Sequence, residues 1–137
     1  MAQGSAPCLE LFYTRNLRWR ITIDFKKELE TTRDNIDNYQ AEQPRGAAGF
    51  AKLHQAAMFD GEISKKHKEL IALAIGIARQ CADCIGFHTE AAIKAGASKQ
   101  EVAETVTVAI MMGGGPSYMY GARALEAYDH FCPEEDD

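Results

Sequence analysis

No apolar run in this chain approaches the roughly 20 residues that a membrane-spanning helix needs. A secretory start is missing as well: Glu10, Arg15, Arg18 and Arg20 break up the first 21 residues and leave no apolar h-region. There is no basic excess. The 137 residues carry 15 Lys and Arg against 20 Asp and Glu, a formal charge of −5, so neither nucleic acid nor an anionic membrane is an expected partner. Nothing reads as strand alternation closed by a hairpin turn, as an internal repeat or as a low-complexity linker. Cysteine is sparse: of four, Cys8 and Cys132 lie near opposite ends and look incidental, and only Cys81 and Cys84 are neighbours. A chain of this length forms one domain with a real core and needs no disulfide staples. Without a secretion signal the expected compartment is reducing cytoplasm. There, a close cysteine pair points to catalysis or metal binding before structural cross-linking.

What remains is helical pattern. "IDFKKELETTRDNIDNY" carries Phe25, Leu29 and Ile36 at helical spacing with charge between them. "EQPRG" breaks it at Pro44 and Gly46, and "AAGFAKLHQAAMF" forms a second helix closed by Asp60 and Gly61. Ser64 caps a third, "KKHKELIALAIGIAR", which is apolar nearly all round after Glu69 and so is expected to be central and buried. A fourth starts near Cys81 and stops at Gly96. Ser98 to Glu101 is a capping box opening a fifth, "EVAETVTVAIMM", and the β-branched "TVTV" is read as helix within that frame. "GGGP" ends it, and Pro116 sits in the first turn of a sixth, "SYMYGARALEAYDHF". The reading is all-α, about six helices, with three parts: a leader or arm at 1–21, a helical domain at 22–132 and an acidic tail at 133–137. The leader carries a net +2 and the remainder −7. That contrast suits either an appended segment or an arm that packs on a partner.

Chemistry concentrates in "ARQCADCIGFHTEAA", residues 78–92. On a helix starting at Cys81, Cys84 is displaced by about 60° and His88 by about 20° around the axis, so all three share one face. The cysteines are one turn apart, a separation a disulfide can bridge. His88 follows Cys84 by a turn, within reach as a base. A helix N-terminus stabilises a thiolate, and Arg79 adds positive charge nearby. Glu69 shares a face with Ala72, Leu73 and Gly76. A carboxyl group held on apolar surface suits proton transfer near neutral pH. If the third and fourth helices form a hairpin turning near Gln80, Glu69 comes within about a turn of His88. The stretch is compatible with a redox pair, with part of a zinc site completed by Cys8 or Cys132, or with inert buried thiols. Taken alone, Glu69 suits a solvated first-half position, Asp83 a favourable first-turn acid, and His54 and His67 plain helix surface. Tyr118, Tyr120, Tyr128 and Phe131 suit core or subunit contact.

The segment "KELIALAIGIARQCADCIGFHTEAAIKAGASKQEVAETVTVAIMMGGGPSYMYGARAL" resembles the carboxymuconolactone decarboxylase superfamily in its AhpD-like branch. The likeness runs from about Phe25 to Phe131 and is strongest from Glu69 to Gly96. The branch's pattern is a Glu, a C-x-x-C twelve residues later and a His four after the second Cys. Glu69, Cys81, Cys84 and His88 match every spacing. The resemblance implies an all-α subunit in a trimer or hexamer, with no metal or organic cofactor. It implies thiol-dependent peroxidase or disulfide oxidoreductase chemistry acting on a hydroperoxide or disulfide and renewed by a protein or lipoyl-type dithiol. Cys84 would be the attacking thiol, Cys81 the proton donor and resolving thiol, and Glu69 with His88 the relay that activates them. Asp83 stands where characterised AhpD enzymes usually carry His, and the chain is shorter than they are. The decarboxylase reaction of the wider superfamily needs no C-x-x-C. A non-catalytic helical assembly would keep the pair buried and unreactive.

Overall fold

The computed structural model describes residues 23–132. The leader at 1–21, the tail at 133–137 and Cys8 lie outside the described residues. Six helices follow in order. Helix α1 (Phe25–Glu42) is capped by Asp24, whose carboxylate accepts from the Lys27 N–H at 3.1 Å. It buries only Phe25 and Leu29, so just its first half packs on the core. Helix α2 (Pro44–Ala57) follows after the single residue Gln43. Pro44 therefore opens α2 instead of standing in a longer break. Its missing N–H costs nothing in a first turn, where that group has no intrahelical acceptor.

Helix α3 (Lys65–Ala78) is capped by the Ser64 side chain, and helix α4 (Ala82–Lys94) is capped by Cys81. Helix α5 (Lys99–Gly113) opens with the expected capping box: the Ser98 hydroxyl accepts from Glu101 N–H at 3.1 Å, and the Glu101 carboxylate accepts from Ser98 N–H at 2.8 Å. "TVTV" is helical within α5, because the cap and the flanking periodicity outweigh β-branching. Helix α6 (Gly115–Phe131) begins after Gly114, which turns at φ 75°, a conformation that suits glycine.

Helices α3, α4, α5 and α6 pack on one another around Leu73, Ile77, Ile85, Val102 and Ala124, all fully buried. Tyr120 and Tyr128 lie against this core, while Tyr118 is exposed. The expectation that α3 is buried all round holds on one side only. Glu69, Leu70, Leu73, Gly76 and Ile77 are buried, yet Ile71 is 48% and Ile75 58% exposed. Among the described residues, the neighbouring helices cover one stripe of α3 and leave the opposite apolar stripe open. Among the described residues, helix α2 contributes none that is buried, and its substantial helix contacts are with α1.

Close packing of α6 on α5 depends on Gly121, where a Cβ would stand 2.6 Å from Val106 Cγ1. Gly121→Ala gains about 1 kcal/mol of helix propensity but overpacks at about 1–3 kcal/mol. The expected result in chemical denaturation is a net loss of about 1 kcal/mol, recovered in part by Val106→Ala. A stabilised single variant would show that α5 and α6 have slack at this contact.

Candidate active site

The site is built by the turn between α3 and α4. Gln80 takes φ 57°, a left-handed conformation that costs a residue bearing a Cβ roughly 1–2 kcal/mol. With it the chain reverses in Arg79 and Gln80, and the Cys81 N–H donates back to Gly76 O at 3.0 Å. Gly76 also sets how closely the helices approach, since a Cβ there would lie 3.0 Å from Cys84 Cβ. This tight hairpin puts α3 and α4 side by side with Glu69 level with His88.

The result is a direct bond. The Glu69 carboxylate, on a residue only 2% exposed, meets His88 Nδ1 at 2.8 Å. The sequence placed the two within about a turn; the structure brings them into contact and rules out the solvated reading of Glu69. With Nδ1 committed to the carboxylate, the ring presents Nε2 as its exchangeable nitrogen. Cys81 and Cys84 are joined as a disulfide, with Cα atoms 5.2 Å apart. Cys81 is the N-cap of α4, and its Sγ accepts from the Cys84 N–H at 3.2 Å. Both cysteines are half-buried. Arg79 is exposed on the turn and does not line the cleft described next.

Cys84, His88 and Glu69 open onto a cleft of about 630 Å³ between α1, α2 and α4. Ile36 from α1, Phe50 and Ala51 from α2, and Phe87 and Ala91 from α4 give it an apolar lining. Charged groups along α4 tie it to α1. Asp83 accepts from the Thr32 hydroxyl at 2.9 Å. Glu90 pairs with Arg33 at 2.8 Å and Lys94 at 2.9 Å, and the Arg33 guanidinium also lies over the Phe87 ring. Partial burial pushes Glu90 upward, but the two cations outweigh it and hold its carboxyl below the ordinary range. Asp83, the departure from the AhpD-like pattern, thus anchors α1 across the cleft mouth.

The sequence reading found the four residues of the hairpin and missed the facing wall. His54, read as plain surface, lines the same cleft, and its ring stacks near that of His88 with centroids 6.4 Å apart. The signal was faint: Phe50 and His54 at i, i+4 on an Ala-rich helix, with nothing local to say what they face. Among the described residues no group of three or more His, Cys, Asp or Glu side chains is arranged to hold a metal ion. No helix among them is long and apolar enough to cross a membrane.

Residues 44–127 match the model of the carboxymuconolactone decarboxylase family. The chain belongs to that family. Its matched segment contains the whole hairpin, the cysteine pair and the α2 wall. An uncharacterized protein of Cupriavidus necator is 35% identical over 109 residues, spanning 80% of this chain and 96% of that protein. Among solved structures, a carboxymuconolactone decarboxylase family protein of Legionella pneumophila in its apo form is 44% identical, with a TM-score of 0.76 over 78% of this chain and 96% of that one. A family protein of Thermotoga maritima, described as possibly involved in antioxidative response, is 24% identical with a TM-score of 0.68, covering 74% of this chain and 87% of that one; this likeness is one of fold. The AhpD-like resemblance is consistent with these matches.

The Gly76 contact gives the site a test independent of any substrate. Gly76→Val wedges α3 from α4 beside Cys84. The expected loss of stability is about 1–3 kcal/mol, accompanied by a shift of the His88 ring resonances in NMR. Unmoved His88 signals would mean that the helix spacing does not set the Glu69–His88 bond.

Proposed function

We propose that this protein is a thiol-dependent peroxidase or disulfide oxidoreductase working through Cys81 and Cys84, with antioxidant defence as its setting. The observation that carries this reading is the Cys81–Cys84 disulfide at the wall of an apolar cleft, beside a buried Glu69 bonded to the half-buried His88 at 2.8 Å. An inert structural pair would need neither the cleft nor the imidazole.

In the reduced enzyme the chemistry runs as follows. His88, held by Glu69, takes the Cys84 proton, and the thiolate attacks the outer oxygen of a hydroperoxide. The O–O bond breaks, the departing alkoxide takes the proton from His88, and Cys84 is left as a sulfenic acid. The Cys81 sulfur then attacks Cys84 Sγ, water leaves, and the disulfide forms. A dithiol, protein-bound or lipoyl-type, returns the pair to two thiols and departs as a disulfide. Cys84 is assigned the attack because it lines the cleft and precedes His88 by one turn; Cys81 lies at the helix N-terminus, outside the lining.

Turnover with an alkyl hydroperoxide and a dithiol tests the assignment. Cys84→Ser should abolish it. Glu69→Gln and His88→Phe should each lower it by about 10²–10⁴-fold, and the double variant should be little worse than either, because the two act as one unit. Cys81→Ser should consume one peroxide and stop with a sulfenic acid on Cys84, detectable by mass spectrometry. Preferential oxidation of Cys81 would exchange the two thiol roles, and full activity in both relay variants would remove the relay.

The working form is proposed to be a homo-oligomer, a trimer or hexamer. The open stripe of α3 (Ile71, Ile75), the far face of α5 (Val108, Met112) and Met119 of α6 are all about half exposed or more, Met112 at 76%. Apolar exposure on this scale marks a surface that a partner covers. Light scattering at micromolar concentration should give a multiple of the 15.1 kDa subunit. A monomer would defeat this part of the reading.

A further inference from the structure

The relay from α3 and α4 serves the enzyme's own thiol. A disulfide state must also be reduced, and that half-reaction needs a base for the incoming thiol, because only a thiolate attacks a disulfide. We propose that His54, on the opposite wall of the cleft, is that base: it deprotonates the entering dithiol and directs it at Cys84. The proposal rests on the redox reading above and extends it to a residue outside the hairpin.

Two observations carry it. First, His54 lines the same cleft as Cys84 and His88, and its ring lies 6.4 Å from the His88 ring at 29° between planes. Second, packing does not explain its position: α2 buries none of its residues, and His54 itself is exposed. The charged groups lining the cleft around His54 are Glu69 from α3 and Asp83, Glu90 and Lys94 from α4; the residues lining it from α1, Thr32, Ile36 and Gln40, are uncharged. Imidazole is the side chain suited to exchange protons near neutral pH in such a setting.

The step balances. His54 takes the proton of the first reductant thiol, and the thiolate attacks Cys84 Sγ, the sulfur that lines the cleft. The Cys81–Cys84 bond breaks with its electron pair on Cys81, which leaves as a thiolate already placed to accept from the Cys84 N–H. The proton of the second reductant thiol passes to Cys81. That second thiolate attacks the reductant's own sulfur in the mixed disulfide, and Cys84 leaves and recovers the proton held by His54. The reductant ends as a disulfide and the enzyme as two thiols.

The two half-reactions are measured apart by stopped flow, with dithiothreitol reducing the oxidised protein and tert-butyl hydroperoxide oxidising the reduced protein. In His54→Gln, reduction at pH 7 should slow by about 10²-fold. Its pH dependence should then follow the thiolate fraction of dithiothreitol, and reduction should lose at least about tenfold more than oxidation, which keeps His88 as its base. Free imidazole should restore reduction in His54→Ala, a rescue that a merely structural role would not show. Unchanged reduction in His54→Gln, equal slowing of both half-reactions, or failure of imidazole to rescue would each overturn the inference. Oxidised protein for the reduction arm is prepared with diamide, so that arm does not depend on peroxide. His54-dependent reduction in a protein that hydroperoxide fails to re-oxidise would support the inference while removing the peroxidase reading.

Discussion

Everything at the site depends on one buried carboxylate finding its partner. A carboxyl group almost fully removed from water is strongly unfavourable unless it is bonded. Glu69 is 2% exposed, and its bonded partner is His88 on the next helix. That bond holds only if α3 and α4 run in one register at one separation. The register comes from the two-residue reversal at Arg79 and Gln80, and the separation from Gly76 lying against Cys84. The same turn makes Cys81 an N-cap and so places the disulfide at the positive end of α4. Fold and chemistry are therefore specified by the same few residues.

The cleft is assembled differently. Its chemical wall belongs to the packed bundle, whereas its opposite wall is the α1–α2 pair, which meets the bundle mainly through the first half of α1. Polar contacts stitch the two together: Thr32 to Asp83, and Arg33 to Glu90. Each is partly exposed, and such pairs contribute only about 0–1 kcal/mol. They act as locators of α1 over the cysteine helix more than as sources of stability. Asp83 acquires a role this way that a first-turn acid need not have.

How much was legible follows from which signals are local. The capping box at Ser98, the Ser64 cap and the Pro116 start are short-range chemistry, and each helix began where its cap stood. The meeting of Glu69 with His88 beside the cysteine pair was legible because the four residues sit on two consecutive helices joined by a short turn, so periodicity together with a hairpin at Gln80 put them on facing sides. Pro44 marked the break correctly, since α1 ends at Glu42, but it also opens α2, because a proline reads equally as a break and as a first-turn residue. The burial of α3 misled because composition reports how much apolar surface exists, not which neighbour covers it. His54 was out of reach for the same reason: it meets the site through tertiary placement across some thirty residues of sequence, which periodicity does not encode.

The lack of any buried residue in α2 has a consequence for how this protein can change. A 14-residue helix with no core contact contributes little to the free energy of the bundle, and in isolation such a helix is marginal. Substitutions along it therefore cost the fold little, yet Phe50, Ala51 and His54 form one side of the cleft. The cleft lining and the stability of the bundle are thus carried by separate parts of the chain. The wall can be rewritten residue by residue, towards a wider, narrower or more polar cleft, while the hairpin that holds the cysteines stays as it is.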